Sequence, residues 1–302
     1  MIPKEGSNLP DMYEIKKVGL INGETLAYRE AGRVGPPVVM LHGNMTSSKH
    51  MEILMERMED RYKIFAPDMR GFGASTYNQP ISSLKDLADD IKFWADQLEL
   101  KHFTLLGWST GGGVAMQMAA DNPDYVNKMV LIDSVGVKGY RLVRTEASPV
   151  DSTALRKLGS KVSNWGLDHM KKYNVYPSRE FVGQMWDRVM YNHNRPDDEL
   201  YEEYLDDAMT QRNVADLHYA LLRFNISTEH NGLTPGNGRV KLITAPTLVL
   251  QGDRDLVVPP FTGEEIAEAI GQHARLVLLP DSGHSPLIDC MDRLVQNLED
   301  FI

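Results

Sequence analysis

The chain has 302 residues, of which 42% are hydrophobic and 25% are charged, and its formal net charge is −10. This length and composition are ordinary for a globular protein with a full core, built as one large domain or as one domain with an insertion. No basic stripe offsets the acidic balance, so nucleic acid and an anionic membrane surface are not expected as partners.

Cysteine content and the first residues bear on the compartment. Cys290 is the only cysteine, so no internal disulfide can form. The segment from Met1 to Asn8 has no apolar run after its charge, and it does not predict a secretory signal. No apolar segment approaches the length that spans a bilayer. We therefore expect a cytoplasmic protein with no integral membrane association.

The N-terminal half alternates short apolar runs with helical stretches. Residues 13–29 predict a hairpin around an Asn22-Gly23 turn. Further strands are predicted at 38–41, 62–66, 102–106 and 128–132, with helices that begin near Thr46, cover roughly 84–100 and follow Ser109. Strands that alternate with helices predict a mostly parallel sheet covered on both faces.

From about residue 137 to 240 the pattern changes to polar helical stretches rich in aromatic residues and methionine. Helices are predicted over 152–172, 178–191 and 197–211, and no convincing strand is found. Strands resume at 246–250 and 274–279. A helical block between two sheet segments predicts a lid over the carboxyl ends of the strands. Its apolar residues fit a pocket lining and the core of the lid equally well.

Gly107-Trp108-Ser109-Thr110-Gly111 joins an apolar run to a helical stretch. A G-x-S-x-G sequence in this position predicts a sharp turn, because glycine has no Cβ and lets strand and helix pass closely. Such a turn exposes the serine hydroxyl at the sheet edge, as a nucleophile requires. The pentapeptide alone also fits any glycine-rich loop of an α/β protein, so support is needed elsewhere in the chain.

Two later segments supply that support, because both follow predicted strands and so reach one edge of a parallel sheet. They are Gly252-Asp253-Arg254-Asp255-Leu256-Val257-Val258-Pro259 and Asp281-Ser282-Gly283-His284-Ser285-Pro286. A serine hydroxyl needs a base to take its proton, and the base needs a carboxylate to fix its tautomer and stabilise its charged form.

Four motifs together resemble the α/β-hydrolase fold family. They are His42-Gly43-Asn44, the loop Asp68-Met69-Arg70-Gly71-Phe72-Gly73-Ala74-Ser75, the serine elbow and Ser282-Gly283-His284. The resemblance covers residues from about 24 to 136 and from 241 to 302. It implies an α/β-hydrolase fold with a mostly parallel, eight-stranded sheet flanked by helices. The core domain would be 1–136 and 241–302, and the inserted helical lid 137–240.

The resemblance also implies the catalytic residues. Ser109 would be the nucleophile, His284 the general base and then the general acid, and Asp255 the acid, at a complete G-x-x-D-x-x-V-P spacing. Asp133, at the end of the predicted strand 128–132, occupies the other position that some relatives use for the acid. Asp255 is favoured because its motif is complete.

The oxyanion hole implied by the resemblance consists of the backbone N–H groups of Asn44 and Thr110. His42 then matches a structural residue beside the oxyanion loop. Residues 42–48 are also similar to a loop of haloalkane dehalogenases, in which the asparagine side chain helps to hold halide. Those enzymes use an aspartate nucleophile, whereas this chain has Ser109, so dehalogenation is not expected. Thr46 is expected to cap the helix that follows.

These features predict a serine hydrolase that cleaves carboxylic esters, small-molecule or oligomeric, through an acyl-enzyme. The elbow and the length are similar to intracellular poly(3-hydroxybutyrate) depolymerases, which implies short-chain or 3-hydroxyacyl esters. Thioesterase, lactonase and carbon–carbon bond hydrolase activities are alternatives, as is a non-catalytic ligand-binding member of the fold. No C-x-x-C, H-E-x-x-H, G-x-G-x-x-G or Walker sequence occurs, so neither a metal nor a cofactor is expected. The oligomeric state does not follow from the sequence.

Overall fold

One eight-stranded sheet organises the protein, seen in a computed structural model that describes residues 12–140 and 178–302. The strands are, in chain order, β1 (Lys16–Gly19), β2 (Thr25–Ala31), β3 (Pro37–Leu41), β4 (Lys63–Pro67), β5 (Phe103–Trp108), β6 (Val126–Ile132), β7 (Thr247–Gly252) and β8 (Ala274–Leu279). Their order across the sheet is β1-β2-β4-β3-β5-β6-β7-β8. β2 is antiparallel to β1 and β4, and the other neighbouring pairs are parallel. The expected α/β-hydrolase sheet is confirmed.

The helices lie between these strands and, for the last two, after β8. They are α1 (Glu52–Met58), α2 (Leu84–Gln97), α3 (Thr110–Asp121), α4 (Arg179–Met185), α5 (Asp198–Ala208), α6 (Val214–Arg223), α7 (Phe261–Ile270), α8 (Pro286–Asp289) and α9 (Met291–Phe301). α4, with the π turn that extends it to Met190, and α5 agree with two of the predicted helices, whereas α6 was not predicted. The predicted helix over 152–172 lies outside the described residues. Residues 178–240, all of which are described, contain no strand, as expected.

The helix cap expected at Thr46 is wrong. A 3₁₀ turn, Ser48–Met51, precedes α1, and Ser47 is the residue whose side chain accepts a hydrogen bond from the Lys49 amide. The Thr46 hydroxyl instead donates to the Gly43 carbonyl at 2.9 Å. A serine or threonine caps a helix only at the position where the helix begins. Thr46 and Ser47 are adjacent, and Ser47 occupies that position.

Both faces of the sheet are covered by helices. One apolar cluster joins the sheet to α2, α3, α6 and α7, with Trp94, Val114 and Ile266 fully buried within it. A second cluster on the other face includes residues of α1, α4, α5 and α9, among them Trp186 and Leu298. Because both faces are buried, the central strands are nearly continuous runs of apolar residues. No helix in the two described stretches is long and apolar enough to cross a bilayer.

Strand register brings the ends of five strands to one edge of the sheet. Leu41 pairs with Gly107, and Trp108 pairs with Ile132. Ile132 in turn pairs with Leu250, and Gly252 pairs with Leu279. The loops after β3, β5, β6, β7 and β8 therefore emerge together, where ligands bind in open α/β sheets.

Candidate active site

The turn between β5 and α3 carries Ser109 in a strained conformation, with φ 54° and ψ −118°. Its amide donates to the Ile132 carbonyl at 2.9 Å, and its own carbonyl accepts from the Val135 amide at 3.1 Å. A Cβ on Gly107 would lie 2.6 Å from the Gly111 carbonyl carbon, so strand and helix are in backbone contact here. The neighbouring strand β6 and the flanking glycines thus hold a backbone geometry that a serine would otherwise avoid.

The loops after β7 and β8 bring a carboxylate and an imidazole to this serine. His284 Nε2 lies 3.0 Å from Ser109 Oγ, and His284 Nδ1 lies 2.8 Å from Asp255 Oδ2. The other oxygen of Asp255 accepts the amides of Val257 and Val258 at 2.7 and 2.8 Å. Those two bonds fix the carboxylate, because the residues after Asp255 turn back over it. Asp255 and His284 are 3% and 4% exposed, so water scarcely screens this series of hydrogen bonds.

Asp133 lies beside this series but does not contact the histidine in it. Its Oδ1 accepts the Gly252 amide at 2.7 Å and the Gln251 side-chain amide at 2.9 Å. Burial, and then the adjacent Asp255 carboxylate, raise the pKa of Asp133 well above its usual range. A neutral Asp133 lets two buried carboxyl groups lie close together without like-charge repulsion. The structure therefore brings Asp255, and not Asp133, to His284.

The loop after β3 passes directly over the serine. A Cβ on Gly43 would lie 3.2 Å from the Ser109 Cβ. The Gly43 carbonyl accepts a hydrogen bond from the Thr46 hydroxyl at 2.9 Å and lies 2.8 Å from His42 Nδ1. Because a trans peptide is planar, the Asn44 N–H points opposite to that carbonyl. Thr110 is the first residue of α3, so its N–H belongs to the unpaired, partly positive end of the helix.

His42 and Asp68 support this loop from below. His42 Nε2 accepts the Met69 amide at 3.0 Å, and burial lowers the pKa of His42 to about 4. Asp68 accepts the Ser48 amide at 2.9 Å and the Ala74 amide at 2.9 Å through its two oxygens. The histidine is thus a neutral, fully buried group whose shortest hydrogen bonds go to Gly43 and Met69, and its ring is not part of the series formed by Ser109, His284 and Asp255.

Three contacts near the site were not predicted from sequence. Trp108 Nε1 donates to the His284 carbonyl at 2.9 Å, which ties β5 to the histidine loop. Asp289 accepts the Gly283 amide at 2.7 Å and the Asn194 amide at 2.9 Å. Gln211, in the segment between α5 and α6, contacts the loop after β3. All of these contacts except that between Asp289 and Gly283 join residues at least 95 positions apart, and none carries a local pattern that would have revealed it.

Asp133, Asp255 and His284 also bring ligand atoms within 4.8 Å of one another, a spacing that would suit a metal ion. Both ring nitrogens of His284 are already engaged, one by Asp255 and one by Ser109. A metal ligand would need the nitrogen lone pair that accepts the serine hydroxyl. The residues present therefore fit a proton relay better than a cation site.

Comparisons with known proteins identify the family to which the chain belongs. A family model described as the alpha/beta hydrolase fold matches residues 36–289. The 2-hydroxymuconate semialdehyde hydrolase of Pseudomonas sp. strain CF600 is 26% identical over 272 residues, which cover 89% of this chain and 87% of that protein. Lipase 1 of Psychrobacter immobilis is 23% identical over 95% of this chain and 84% of its own.

Among solved structures, a thermophilic esterase from Thermogutta terrifontis superposes with a TM-score of 0.70. The alignment covers 95% of this chain and 97% of the esterase, at 24% sequence identity. A likeness of this kind shows a shared fold.

Proposed function

Because the chain belongs to the α/β-hydrolase fold family, we propose that it is a serine hydrolase that cleaves carboxylic esters through an acyl-enzyme. One observation carries the proposal. Ser109 Oγ, His284 and Asp255 form a continuous series of hydrogen bonds of 3.0 and 2.8 Å, with the histidine and the carboxylate buried and the serine partly exposed. Nucleophile, base and orienting carboxylate are the three parts that acyl transfer by a serine needs.

In the first half-reaction, Ser109 Oγ forms a bond to the acyl carbon as its proton passes to His284 Nε2. Asp255 accepts the Nδ1–H hydrogen bond, which selects the tautomer with a basic Nε2 and stabilises the imidazolium. The tetrahedral intermediate collapses when the bond to the alcohol oxygen breaks and His284 returns its proton to that oxygen. Water then attacks the acyl-enzyme by the same steps, and the acid and Ser109 are released.

The developing negative charge on the acyl oxygen would be held by the N–H groups of Asn44 and Thr110. Support comes from the Gly43 peptide, whose carbonyl is fixed by Thr46 and His42 and which thereby aims the Asn44 N–H. Thr110 contributes the first amide of α3. Two donors aimed at charge that appears only in the intermediate favour it over the substrate, and one such donor is worth about 10²–10³ in rate.

We further propose that residues 137–240 form a lid over a core of 1–136 and 241–302. The proposal is supported by α4, α5 and α6, which lie between β6 and β7 in the chain. It is also supported by the contact of Asn194 with Asp289 at the end of α8 and by that of Gln211 with the loop after β3. The substrate would be a small-molecule or oligomeric ester, in particular a short-chain or 3-hydroxyacyl ester.

A second candidate is the cleavage of a carbon–carbon bond in a vinylogous diketone. It is favoured by the similarity to a relative named 2-hydroxymuconate semialdehyde hydrolase. The two reactions share the base and the oxyanion hole but differ in the leaving group. Cleavage of the diketone releases a carbanion equivalent, whereas cleavage of an ester releases an alcohol.

The test is a panel of p-nitrophenyl esters of graded chain length, 3-hydroxybutyrate oligomers and a vinylogous diketone, assayed with wild type and Ser109→Ala. We expect the rate of ester hydrolysis to fall by at least about 10³-fold in Ser109→Ala, because the nucleophile is removed. Some rate should remain, since the other groups still bind and polarise the substrate. Ser82→Ala, at an exposed serine before α2, is the matched control. Cleavage of the diketone alone would replace the proposal by the second candidate. No turnover of any substrate by folded wild type would contradict both.

A further inference from the structure

The side chain of Gln211 occupies the gap between α5 and the loop after β3. It is 6% exposed. Its Oε1 accepts the Met45 amide at 3.0 Å, and its Nε2 donates to the side-chain oxygens of Asn44 at 2.9 Å and Asn213 at 2.8 Å. One side chain thus holds two consecutive residues of the loop over Ser109, 166 and 167 positions away in the sequence.

The residues held by Gln211 need such support. Met45 has φ 56°, a conformation that costs free energy for a residue with a Cβ and persists only when the surroundings determine it. The peptide on the other side of Asn44 is fixed through the Gly43 carbonyl by Thr46 and His42. Gln211 fixes the peptide that follows Asn44, and it also fixes the side chain of Asn44. Asn44 is therefore anchored on both sides of its Cα.

Gln211 is itself well anchored. Asn213, whose Oδ1 accepts a hydrogen bond from Gln211 Nε2, donates through its own Nδ2 to the Arg70 carbonyl at 2.7 Å. The Arg212 amide between them donates to the Gly71 carbonyl at 2.7 Å. The segment 211–213 is thereby fixed to the loop that directly follows the central strand β4. A rigid support under Gln211 allows it to determine where the loop after β3 lies.

We propose that Gln211 is a positioning residue of the oxyanion hole, holding the Asn44 N–H at the distance at which it stabilises the tetrahedral intermediate. The inference rests on the proposed ester hydrolysis. It makes the segment between α5 and α6 part of the catalytic machinery, so that residues placed in the lid act on the chemical step. Gln211 contacts no reacting atom and acts through Asn44 and Met45.

Its expected signature follows from what Asn44 does. A donor displaced by a fraction of an ångström stabilises the oxyanion less but binds the neutral ester as before. Complete loss of one donor costs about 10²–10³ in rate, so a displaced donor should cost about 10–100-fold in kcat. KM should stay within about 3-fold, because ground-state binding does not use the oxyanion contacts.

The experiment compares wild type, Gln211→Met and Gln211→Glu at 25 °C, with active sites counted by fluorophosphonate titration. Gln211→Met keeps the length of the side chain but neither donates nor accepts, and Gln211→Glu keeps the acceptor for the Met45 amide. We expect kcat to fall about 10–100-fold in the first and less in the second. The inhibition constant of a trifluoromethyl ketone, which forms an oxyanion on the serine, should weaken by the same factor as kcat in each.

Gln184→Met is the matched control, since Gln184 is exposed on α4 and, within residues 12–140 and 178–302, its side chain donates only to Glu180, at 3.2 Å. It should leave kcat, KM and the ketone constant unchanged. If Gln211→Met does not fold, Gln211→Glu supplies the test. A folded variant with a lower unfolding midpoint but a kcat per site and a ketone constant within about 2-fold of wild type would overturn the inference. Wild type that hydrolyses no ester would instead refute the proposed function, and the inference with it.

Discussion

Replacing Gly111 by alanine tests how closely α3 and β3 must approach for the site to form. A Cβ at this position would lie 2.6 Å from the His42 carbonyl oxygen and 2.7 Å from the Leu41 carbonyl carbon. Ordinary carbon–oxygen contacts are about 3.3 Å, so the helix and the end of β3 must move apart by about 0.7 Å. The neighbours that would have to move are backbone atoms, which cannot rotate out of the way.

Two opposing effects set the change in stability. Alanine favours a helix over glycine by at most about 1 kcal/mol. Overpacking a dense core costs about 1–3 kcal/mol, and a clash with two consecutive backbone carbonyl groups belongs at the upper end of that range. We therefore expect the variant to lose about 2 kcal/mol in free energy of unfolding, although propensity alone predicts a gain.

The same movement should lower activity by more than stability would suggest. Leu41 and His42 lead into the loop that carries Asn44, and a misplacement of about 1 Å can cost about 10² in rate. We expect kcat on a p-nitrophenyl ester to fall about 30–100-fold, measured alongside urea unfolding. Gly19→Ala is the control, because nothing lies within 4 Å of the Cβ built there. A Gly111→Ala protein with a kcat within about 2-fold of wild type and an unchanged unfolding midpoint would refute the reasoning.

Three further predictions concern the histidine loop, the acid and pH. Trp108→Phe removes the N–H that donates to the His284 carbonyl at 2.9 Å. Leaving that carbonyl unpaired costs about 1–3 kcal/mol, so we expect stopped-flow ester hydrolysis to show kcat reduced about 10-fold at constant KM. An unchanged kcat would show that the indole is only packing. Asp255→Asn should lower kcat by about 10⁴-fold, because the amide favours the wrong histidine tautomer. Asp133→Asn should lower kcat less than about 10-fold, because an amide resembles a neutral carboxyl group. The reverse ranking in ester assays would make Asp133 the acid. Burial lowers the pKa of His42 from 6.5 to about 4, so between these pH values the unfolded chain binds a proton that the folded chain does not. This site should therefore destabilise the fold by about 2 kcal/mol as pH falls from 7 to 4.5. Urea unfolding of His42→Gln should show a correspondingly smaller loss over that range, and an equal loss would contradict the assignment.

Much of the frame could be predicted from sequence because its signals are local. Buried parallel strands are short apolar runs, and the loops after them meet at one edge of the sheet. That rule placed Ser109 and the segments that carry Asp255 and His284 near one another, and the family resemblance selected Asp255 and His284 within those segments. The structure shows all three in hydrogen-bond contact. The complete G-x-x-D-x-x-V-P spacing also has a local cause, since the amides of Val257 and Val258 bind the Asp255 carboxylate.

The parts that sequence did not reveal depend on contacts between distant segments. Gln211 is an ordinary polar residue between two helices until the fold brings it to Asn44 and Met45. The Trp108 indole likewise gains its partner only when β5 and the loop after β8 are assembled. The prediction of Thr46 as the helix cap was wrong for another reason. A shift of one residue in where the helix begins decides which residue caps it, and the structure shows Ser47 in that position.

The central claim is that Ser109 is the nucleophile of an acyl-transfer site, and it is tested most directly by locating a covalent adduct. A fluorophosphonate reacts with a serine only where a base has activated it. After treatment of the folded protein, peptide mass mapping should find one adduct, on Ser109, and Ser109→Ala should acquire none. A folded wild type that remains unmodified, or an adduct carried by a different serine, would contradict the account.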